Sequence, residues 1–411
     1  MKIIGIHNTG VTSSAALLIN GKLISAFPEE RLSRNKYDKY FPVTSIKRCL
    51  KYAKLKISEI DYFAIAWNPA KNLHQRIRPG HYEWVNHPGL RFASNPNYLL
   101  TMMGIKNEDF EDTVQEFNIG KKNISKKIIY VDHHSAHIAN SYYSSGFLDS
   151  NVLSLDGYGE NSAIVSAYAS KNGINKISEQ LFPHSLGEFY STITQFLGFK
   201  PYAHEWKVMG MAGYGKPNRY FNKMKKLIEF DNLNFFKLNL NYFDFYNFDN
   251  KFRFSKDFIS LFGNPRNEKD SIKAKHFDIA AAAQKITEEI IFDILKKIKS
   301  KSKSKNICLS GGVIMNSVMN GKIYKSGIFK NIFIPFSPDD TGNSIGAALY
   351  VHKKFAKKKM EVKSLQNPFL GDQYSEKNIK SMLEKNKISY IKVDNICKKT
   401  AELLSDGNVI G

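Results

Sequence analysis

"NVLSLDGYGENSAIVSAYASKNGINKISEQ", residues 151–180, follows the same plan as "KIIGIHNTGVTSSAALLINGKLISAFPEE" at residues 2–30. In the first stretch, strand "KIIGIHN" leads to strand "SSAALLIN", an Asn20-Gly21 turn and strand "KLISAFPEE". In the second, strand "NVLSLD" leads through "GYGEN" to strand "SAIVSAYAS", and Asn172-Gly173 turns the chain into "INKISEQ". Asn-Gly suits a two-residue hairpin because both positions tolerate positive φ. The same order of elements recurring after roughly 150 residues points to an internal duplication.

The segments around the copies complete two α/β halves. Helix-spaced apolar positions mark "TSIKRCLKYAKL" (44–55), "GEFYSTITQFLGF" (187–199) and "IAAAAQKITEEIIFDILKKIK" (279–299). The last of these feeds strand "NICLS", glycines 311–312 and a predicted helix "VIMNSVMNGKIY". Strand "NIFIPFSP" then leads through "DDTGNSIGAALYVHKK" into another helix. Two such halves, approximately 1–150 and 151–356, place a ligand in the cleft between them, as open α/β sheets do. Residues 357–377 read as a linker. Beyond them, 378–411 read as the start of a further α/β unit whose last strand, "NVIG", ends the chain.

Composition narrows the function classes. A chain of 411 residues with 42% hydrophobic and 24% charged residues is expected to form more than one globular domain. No apolar run is long enough to span a bilayer, and "MKIIGIHNTG" lacks the features of a signal peptide. Cys49, Cys308 and Cys397 show neither a disulfide framework nor zinc-site spacing, so a cytoplasmic location is expected. The net charge of +22 raises nucleic-acid binding. However, the lysines are spread along the chain, and the densest run, "KKIKSKSKSKN" (296–306), falls between a helix and a strand. Nucleic acid is therefore not the expected partner.

The chemistry-bearing residues cluster at strand ends. In "VDHHSAHIANSYYSSG" (131–146), a helix after Asp132 puts His133 and His137 one turn apart on one face, where both can bind one cation. A histidine pair alone is more often a surface or capping feature. Asp156, ending strand "VLSLD", and Asp340, opening "DTGNSIGAA", supply two carboxylates that can complete a divalent-metal shell. The turns "DGYGE" (156–160), "SGGVIMN" (310–316) and "DTGNSIG" (340–346) are phosphate-handling candidates, because glycine lets backbone N–H groups approach an anion closely. Asn316 and Asn320, one helical turn apart, suit adenine or ribose contacts.

Seven segments carry a resemblance: "PEERLSRNKYDKYFP" (28–42), "DHHSAH", "LDGYGE", "SLGEFYSTITQFLGF", "EWKVMGMAGYGKP" (205–217), "LSGGVIMNSVMNGK" and "PDDTGNSIGAAL". In this order, over roughly residues 1–350, the chain resembles the NodU/CmcH family of O-carbamoyltransferases. The resemblance implies a duplicated domain of the actin/hexokinase/chaperone ATPase superfamily, ribonuclease H-like in each half. Its close relative attaches threonylcarbamoyl to tRNA adenosine. Family members also carry a C-terminal YrdC-like domain, of which 378–411 would be an incomplete start. That domain makes carbamoyl adenylate from carbamoyl phosphate and ATP, and the N-terminal domain transfers the carbamoyl group to a hydroxyl of a small molecule or sugar. Carried over residue by residue, the resemblance makes His133, His137, Asp156 and Asp340 ligands of a divalent metal, usually ferrous iron. It makes Lys36, Gly312 and Asn316 contacts of the adenylate, with Ser185 a further candidate. Gly157, Gly311 and Asn320 adjoin these positions and are carried as binding residues with them.

One departure bears on catalysis. The family commonly has a histidine, its proposed general base, where this chain reads "GVTSSAAL", so that Val11 stands in its place. Valine cannot take a proton. His7, four residues earlier, is then either a substitute base or a structural histidine. Besides O-carbamoyl transfer, two readings remain open from sequence: a tRNA threonylcarbamoyl-forming relative, favoured by the charge, and a non-catalytic nucleotide-binding protein, favoured by Val11. Trp206 is expected to be a packing anchor. The aromatic run at 234–255 is expected to be an insertion packed on the core, and His81 and His87 are expected to be loop residues.

Overall fold

The structure, a computed structural model, describes residues 1–9, 11–68, 112–119, 124–231, 235–247, 250–356, 365 and 367–411. These form two compact units, Met1–Leu370 and Gly371–Gly411. The sequence pattern sets the linker at 357–377, but the chain stays with the first unit through Leu370, whose carbonyl accepts from Ala26 N–H at 3.0 Å.

In the first half of unit one, β1 (Lys2–His7), β2 (Ser14–Ile19) and β3 (Lys22–Pro28) form an antiparallel meander. Helices α1 (Glu29–Ser33) and α2 (Val43–Tyr52) follow, then β4 (Tyr62–Ile65), β5 (Asp112–Ile119) and β6 (Ile124–Val131). β4 runs parallel to β1 and β6 parallel to β4, giving the order β3-β2-β1-β4-β6-β5. Helix α3 (His133–Tyr143) follows. The second half repeats the plan with β7 (Asp149–Leu155), β8 (Ser162–Ser170) and β9 (Gly173–Leu181). Its middle carries α4 (Leu186–Phe196), α5 (Glu205–Ala212), α6 (Asn218–Lys225), the short pair β10 (Ile228–Glu229) and β11 (Lys237–Leu238), α7 (Lys256–Phe262) and α8 (Ala274–Ser300). β12 (Asn306–Ser310), α9 (Ser317–Ser326), β13 (Asn331–Phe333) and α10 (Asn343–Phe355) complete it. The sheet order is β13-β12-β7-β8-β9, with β12 parallel to both β7 and β13. Both sheets share the order third-second-first strand of the half followed by two later parallel strands, with the second strand antiparallel, and the first sheet adds β5 as an antiparallel edge strand beyond β6. This is the duplicated ribonuclease H-like fold that the resemblance implies.

Side-chain alternation sorts the core. Ile3, Ala16 and Leu18 join a central cluster with Ile138, Tyr142, Val152, Cys308 and Ile345, while Ile4, Ile6, Ala15 and Leu17 face Ile46 and Cys49 under α2. Neighbours one residue apart on a strand thus serve opposite faces. The largest cluster lies on the second half, where Ile286, Ile290 and Ile294 of α8 meet Phe189 and Phe196 of α4. Phe236, Phe243, Phe245 and Phe254 belong to it, so the described part of the aromatic run packs on the core as expected.

Differences from expectation have local causes. Ile19 pairs with Lys22, so Asn20 (φ 50°) and Gly21 (φ 81°) form the expected turn. In the second copy Ser170 pairs with Gly173, so the turn is Lys171–Asn172 and Gly173 begins the strand. α8 starts five residues before the expected 279, because the His276 ring accepts the backbone N–H of Lys273 at 2.9 Å and caps the helix. The single helix expected from Val313 is a 3₁₀ turn, Gly312–Met315, followed by α9. Asn316 separates them by accepting Met319 N–H at 3.0 Å. β13 stops at Phe333, two residues before Pro335, which has no N–H for a ladder.

Unit two contains α11 (Glu376–Lys385) and α12 (Ile396–Ser405). Among its described residues none is buried and none forms a strand, so the strand expected at "NVIG" is absent from the structure. A strand needs a partner for its backbone groups, and no neighbouring strand is present within the unit.

Candidate metal centre

The start of α3 sets the site. Asp132 at the N-cap is fully buried and accepts from Ser135 N–H at 2.8 Å and Ser135 Oγ at 2.7 Å, while Lys176 Nζ lies 3.1 Å away. Glu160 holds the next backbone group, accepting from His133 N–H at 3.0 Å. With the first turn fixed, His133 and His137 project from one face, their ring centroids 4.7 Å apart. Replacing Asp132 with alanine removes the cap and leaves Lys176 without this carboxylate. We expect a loss of about 3 kcal/mol, read as a lower urea midpoint at unchanged slope.

His134, between the two, takes another role. Its Nδ1 lies 2.8 Å from Ser154 Oγ and its Nε2 lies 2.8 Å from the Ser162 carbonyl, to which it donates. Burial and the neighbouring His133 push its pKa down to about 3, so it is a neutral core histidine.

Two carboxylates close on the other two rings. Asp156 follows β7, its backbone N–H bonded to the Ala163 carbonyl at 3.0 Å and its Oδ1 accepting from Gly157 N–H at 2.7 Å. Its Oδ2 lies 2.8 Å from His137 Nε2 and 3.1 Å from His133 Nε2. Asp340, in the 3₁₀ turn Asp340–Gly342 before α10, places Oδ1 3.3 Å from His137 Nε2 and 3.5 Å from His133 Nε2. One donor atom from each of the four residues lies within 4.8 Å of every other. Donors about 2.1 Å from one cation at tetrahedral angles stand about 3.4 Å apart, close to these separations. The four side chains therefore fit a divalent cation, and two imidazoles with two carboxylates suit iron, zinc, manganese or cobalt.

The electrostatics agree. Burial alone would lower the pKa of His137, but Asp156 and Asp340 raise it to about 9. His133 is also raised: burial opposes the shift, and Asp340 and Asp156 outweigh it. Burial and mutual repulsion oppose ionisation of Asp156, yet His133 and His137 hold its pKa below the usual range. Asp340 is held well below, burial being outweighed by His7, His133 and His137.

The nucleotide-side candidates divide. Gly311 has φ +96°, and a Cβ there would overlap the Leu155 carbonyl; at Gly312 it would stand 3.0 Å from Asp156 Oδ1. The two glycines let the turn after β12 lie against the end of β7. Ser185 caps α4 by accepting Glu188 N–H at 3.1 Å and donates to the Asp156 carbonyl at 3.1 Å. Gly157, Ser185, Gly311 and Gly312 are thus gathered around Asp156. Asn316 caps α9 and pairs with Gln284 through Nδ2 at 2.8 Å, and Asn320 Nδ2 donates to the Ile314 carbonyl at 2.7 Å. Lys36 sits on the loop after α1, ion-paired with Glu30 at 2.7 Å, its side chain 63% exposed. That loop reaches the second half through Tyr37 OH, which donates to the Ala203 carbonyl at 2.7 Å. His7, at the end of β1, has Nε2 3.5 Å from Asp340 Oδ2, and Val11 is half-buried in the loop that follows.

Some expectations need correction. Trp206 is 62% exposed rather than a packing anchor; Val208 and Met211 bury that helix instead. Gly342 has a packing use as well, since a Cβ there would overlap the Ser337 carbonyl. Glu188 is a residue that sequence reasoning did not single out. Its carboxylate is buried, accepts from Tyr202 OH at 2.9 Å and pairs with Arg253 from the aromatic run. His81 and His87 lie outside the described residues.

Comparison with known proteins bears on these elements. The chain is 30% identical to the uncharacterized protein sll1178 of Synechocystis sp., over 100% of its own length and 67% of that protein. It is 27% identical to nodulation protein NolNO of Sinorhizobium fredii, over 98% of its own length and 56% of that protein. It therefore spans little more than half to two-thirds of these relatives. Among solved structures, (R)-2-hydroxyglutaryl-CoA dehydratase component A of Acidaminococcus fermentans matches at a TM-score of 0.44 and 13% identity, covering 86% of this chain and 98% of that one. The sequence profile described as Carbamoyltransferase N-terminus matches residues 2–349, from the first residue of β1 into α10 and across all four cluster residues. The chain belongs to this carbamoyltransferase family.

Proposed function

We propose that this chain carries the transfer step of an O-carbamoyltransferase, moving a carbamoyl group from carbamoyl adenylate to a hydroxyl of a small molecule or sugar. The observation that carries the reading is the two-histidine, two-aspartate cluster at the join of the duplicated halves, in a chain of this family. In the reaction the acceptor oxygen bonds to the carbamoyl carbon, the bond from that carbon to the phosphate oxygen breaks, and AMP leaves with the electron pair. The hydroxyl proton passes to a base or to water. A divalent cation, ferrous iron in our reading, would be held by His133, His137, Asp156 and Asp340 and would supply positive charge beside the phosphate. Gly157, Ser185, Gly311 and Gly312 are gathered around Asp156. The N–H groups of Gly157, Ser185 and Gly311 are bonded to Asp156 Oδ1 and to the Pro183 and Pro338 carbonyls, so these residues would shape the turns while Gly312 would turn its N–H to the anion. Asn316 and Asn320 would meet the nucleoside, and Lys36, brought towards the second half by the Tyr37 bond, would face the adenylate. Carbamoyl adenylate itself would be made from carbamoyl phosphate and ATP by the YrdC-like activity of the family.

The test is to supply carbamoyl adenylate to the purified chain with a panel of hydroxylated acceptors, and to follow AMP release and carbamoylated product together. Product formed in step with AMP supports the reading. AMP bound without turnover on any acceptor would favour a nucleotide-binding protein instead. Filter binding of tRNA at varied salt separates the tRNA-directed alternative.

Val11 gives a sharper prediction. A histidine there would restore a proton acceptor to the loop after β1. Val11→His is expected to raise the transfer rate by about 10²-fold, the low end of general-base contributions. An unchanged rate in a folded variant would show that this position does not face the acceptor.

A further inference from the structure

His7 is fully buried, and among the described residues neither of its ring nitrogens has a hydrogen-bond partner. Buried polar groups are normally paired, and each exception calls for a cause. His134 supplies the contrast within this same centre: equally buried, it has both nitrogens bonded, as a core histidine should. Among the described residues, the carboxylate within ion-pair distance of His7 is Asp340. Its Oδ2 lies 3.5 Å from His7 Nε2, too long for a hydrogen bond but equal to the separation of His133 Nε2 from Asp340 Oδ1 within the four-residue cluster. The carboxylate thus presents Oδ1 to the histidine pair of α3 and Oδ2 to His7. The His7 ring centroid stands 6.1 Å from that of His133.

We propose that His7 is a fifth ligand of the centre, binding through Nε2 beside Asp340 and making the donor set three imidazoles and two carboxylates. This rests on the reading that the cluster holds a cation. Three nitrogens shift preference towards ferrous iron, cobalt and zinc and away from magnesium and calcium, which take oxygen ligands. The assignment also removes His7 as the general base, because a nitrogen lone pair committed to a cation cannot take the proton of an acceptor hydroxyl. The loop then has neither the family's histidine at Val11 nor a substitute for it at His7.

X-ray absorption of the full chain loaded with Zn²⁺ tests this by counting imidazoles from their multiple scattering. Three are expected in the unaltered chain and two in His7→Asn. Competition with a chelator should show Zn²⁺ affinity at least tenfold lower in the variant, since loss of even an outer-sphere partner costs about 10- to 100-fold. Two imidazoles in the unaltered chain would overturn the proposal whatever the affinities, leaving His7 as a partner that only orients Asp340. The count needs no variant, so a failure of His7→Asn to fold does not affect it. If the unaltered chain binds no Zn²⁺, Co²⁺ or Fe²⁺, the reading of the whole cluster as a metal centre falls first. Two imidazoles with tight binding would sink the fifth ligand alone.

Discussion

Replacing Asp156 with asparagine is expected to reduce divalent-cation affinity by at least about 100-fold. Loss of a mere outer-sphere partner already costs about 10- to 100-fold, and Asp156 lies in direct contact with both histidines. The substitution keeps the shape of the side chain and an oxygen able to accept from Gly157 N–H. What it removes is charge. Asp156 Oδ2 is the closest acceptor to both rings, at 2.8 and 3.1 Å, so the loss falls on His137 and His133 together. Asp340, at 3.3 and 3.5 Å, then has to balance both imidazoles alone. Carbamoyl transfer should fall with the affinity. Titration with Zn²⁺ against a chelator reads the first effect, and product formation at saturating Zn²⁺ reads whether any transfer survives. Affinity within threefold of the unaltered chain would show that the cation, if bound, sits elsewhere.

The elements that were legible in sequence are those fixed by local chemistry. Asn20-Gly21 adopts the two positive φ values that made it a turn, and the Asp132 cap sets the helix register that pairs His133 with His137. Asp156 and Asp340 were legible because each closes or follows a strand at a glycine turn. Long-range partners were not. Nothing in "DHHSAH" separates His134 from its neighbours; only the positions of Ser154 and Ser162 on adjacent strands make it structural. Glu188 drew no reading from sequence, because its pairing with Arg253 spans a segment whose path no local pattern reveals. Trp206 misled because aromatic size was read as burial, whereas Val208 and Met211 occupy the buried face of α5. The strand expected at "NVIG" had the right composition but no partner within its unit. The glycines of "DTGNSIG" were read as anion-binding, and the structure adds a packing use for them.

Gly346 lies within α10, and a Cβ built on it would overlap the carbonyl oxygen of Ala136 in α3. Three of the four metal candidates belong to these two helices: His133 and His137 open α3, and Asp340 stands one turn ahead of α10, while Asp156 follows β7. Their close crossing therefore sets how far Asp340 stands from His133 and His137. Gly346→Val cannot be absorbed by rotating a side chain, because the opposing atom is backbone. α3 and α10 must separate, and the buried cluster containing Ile138, Ala139, Ile345 and Ala348 must open with them. Overpacking of a core costs about 1–3 kcal/mol when side chains can move, so we expect the upper end of that range or beyond. A small rise in separation also lengthens every contact between Asp340 and the α3 histidines. The variant should thus lose stability by urea unfolding and, in its folded fraction, lose cation affinity by about tenfold or more. A matched change on the same helix away from the crossing, such as Lys353→Ala, should do neither. If Gly346→Val were destabilised yet bound Zn²⁺ as tightly as the unaltered chain, the crossing would be a packing feature only, and the geometry of the centre would be set by the strand ends without it.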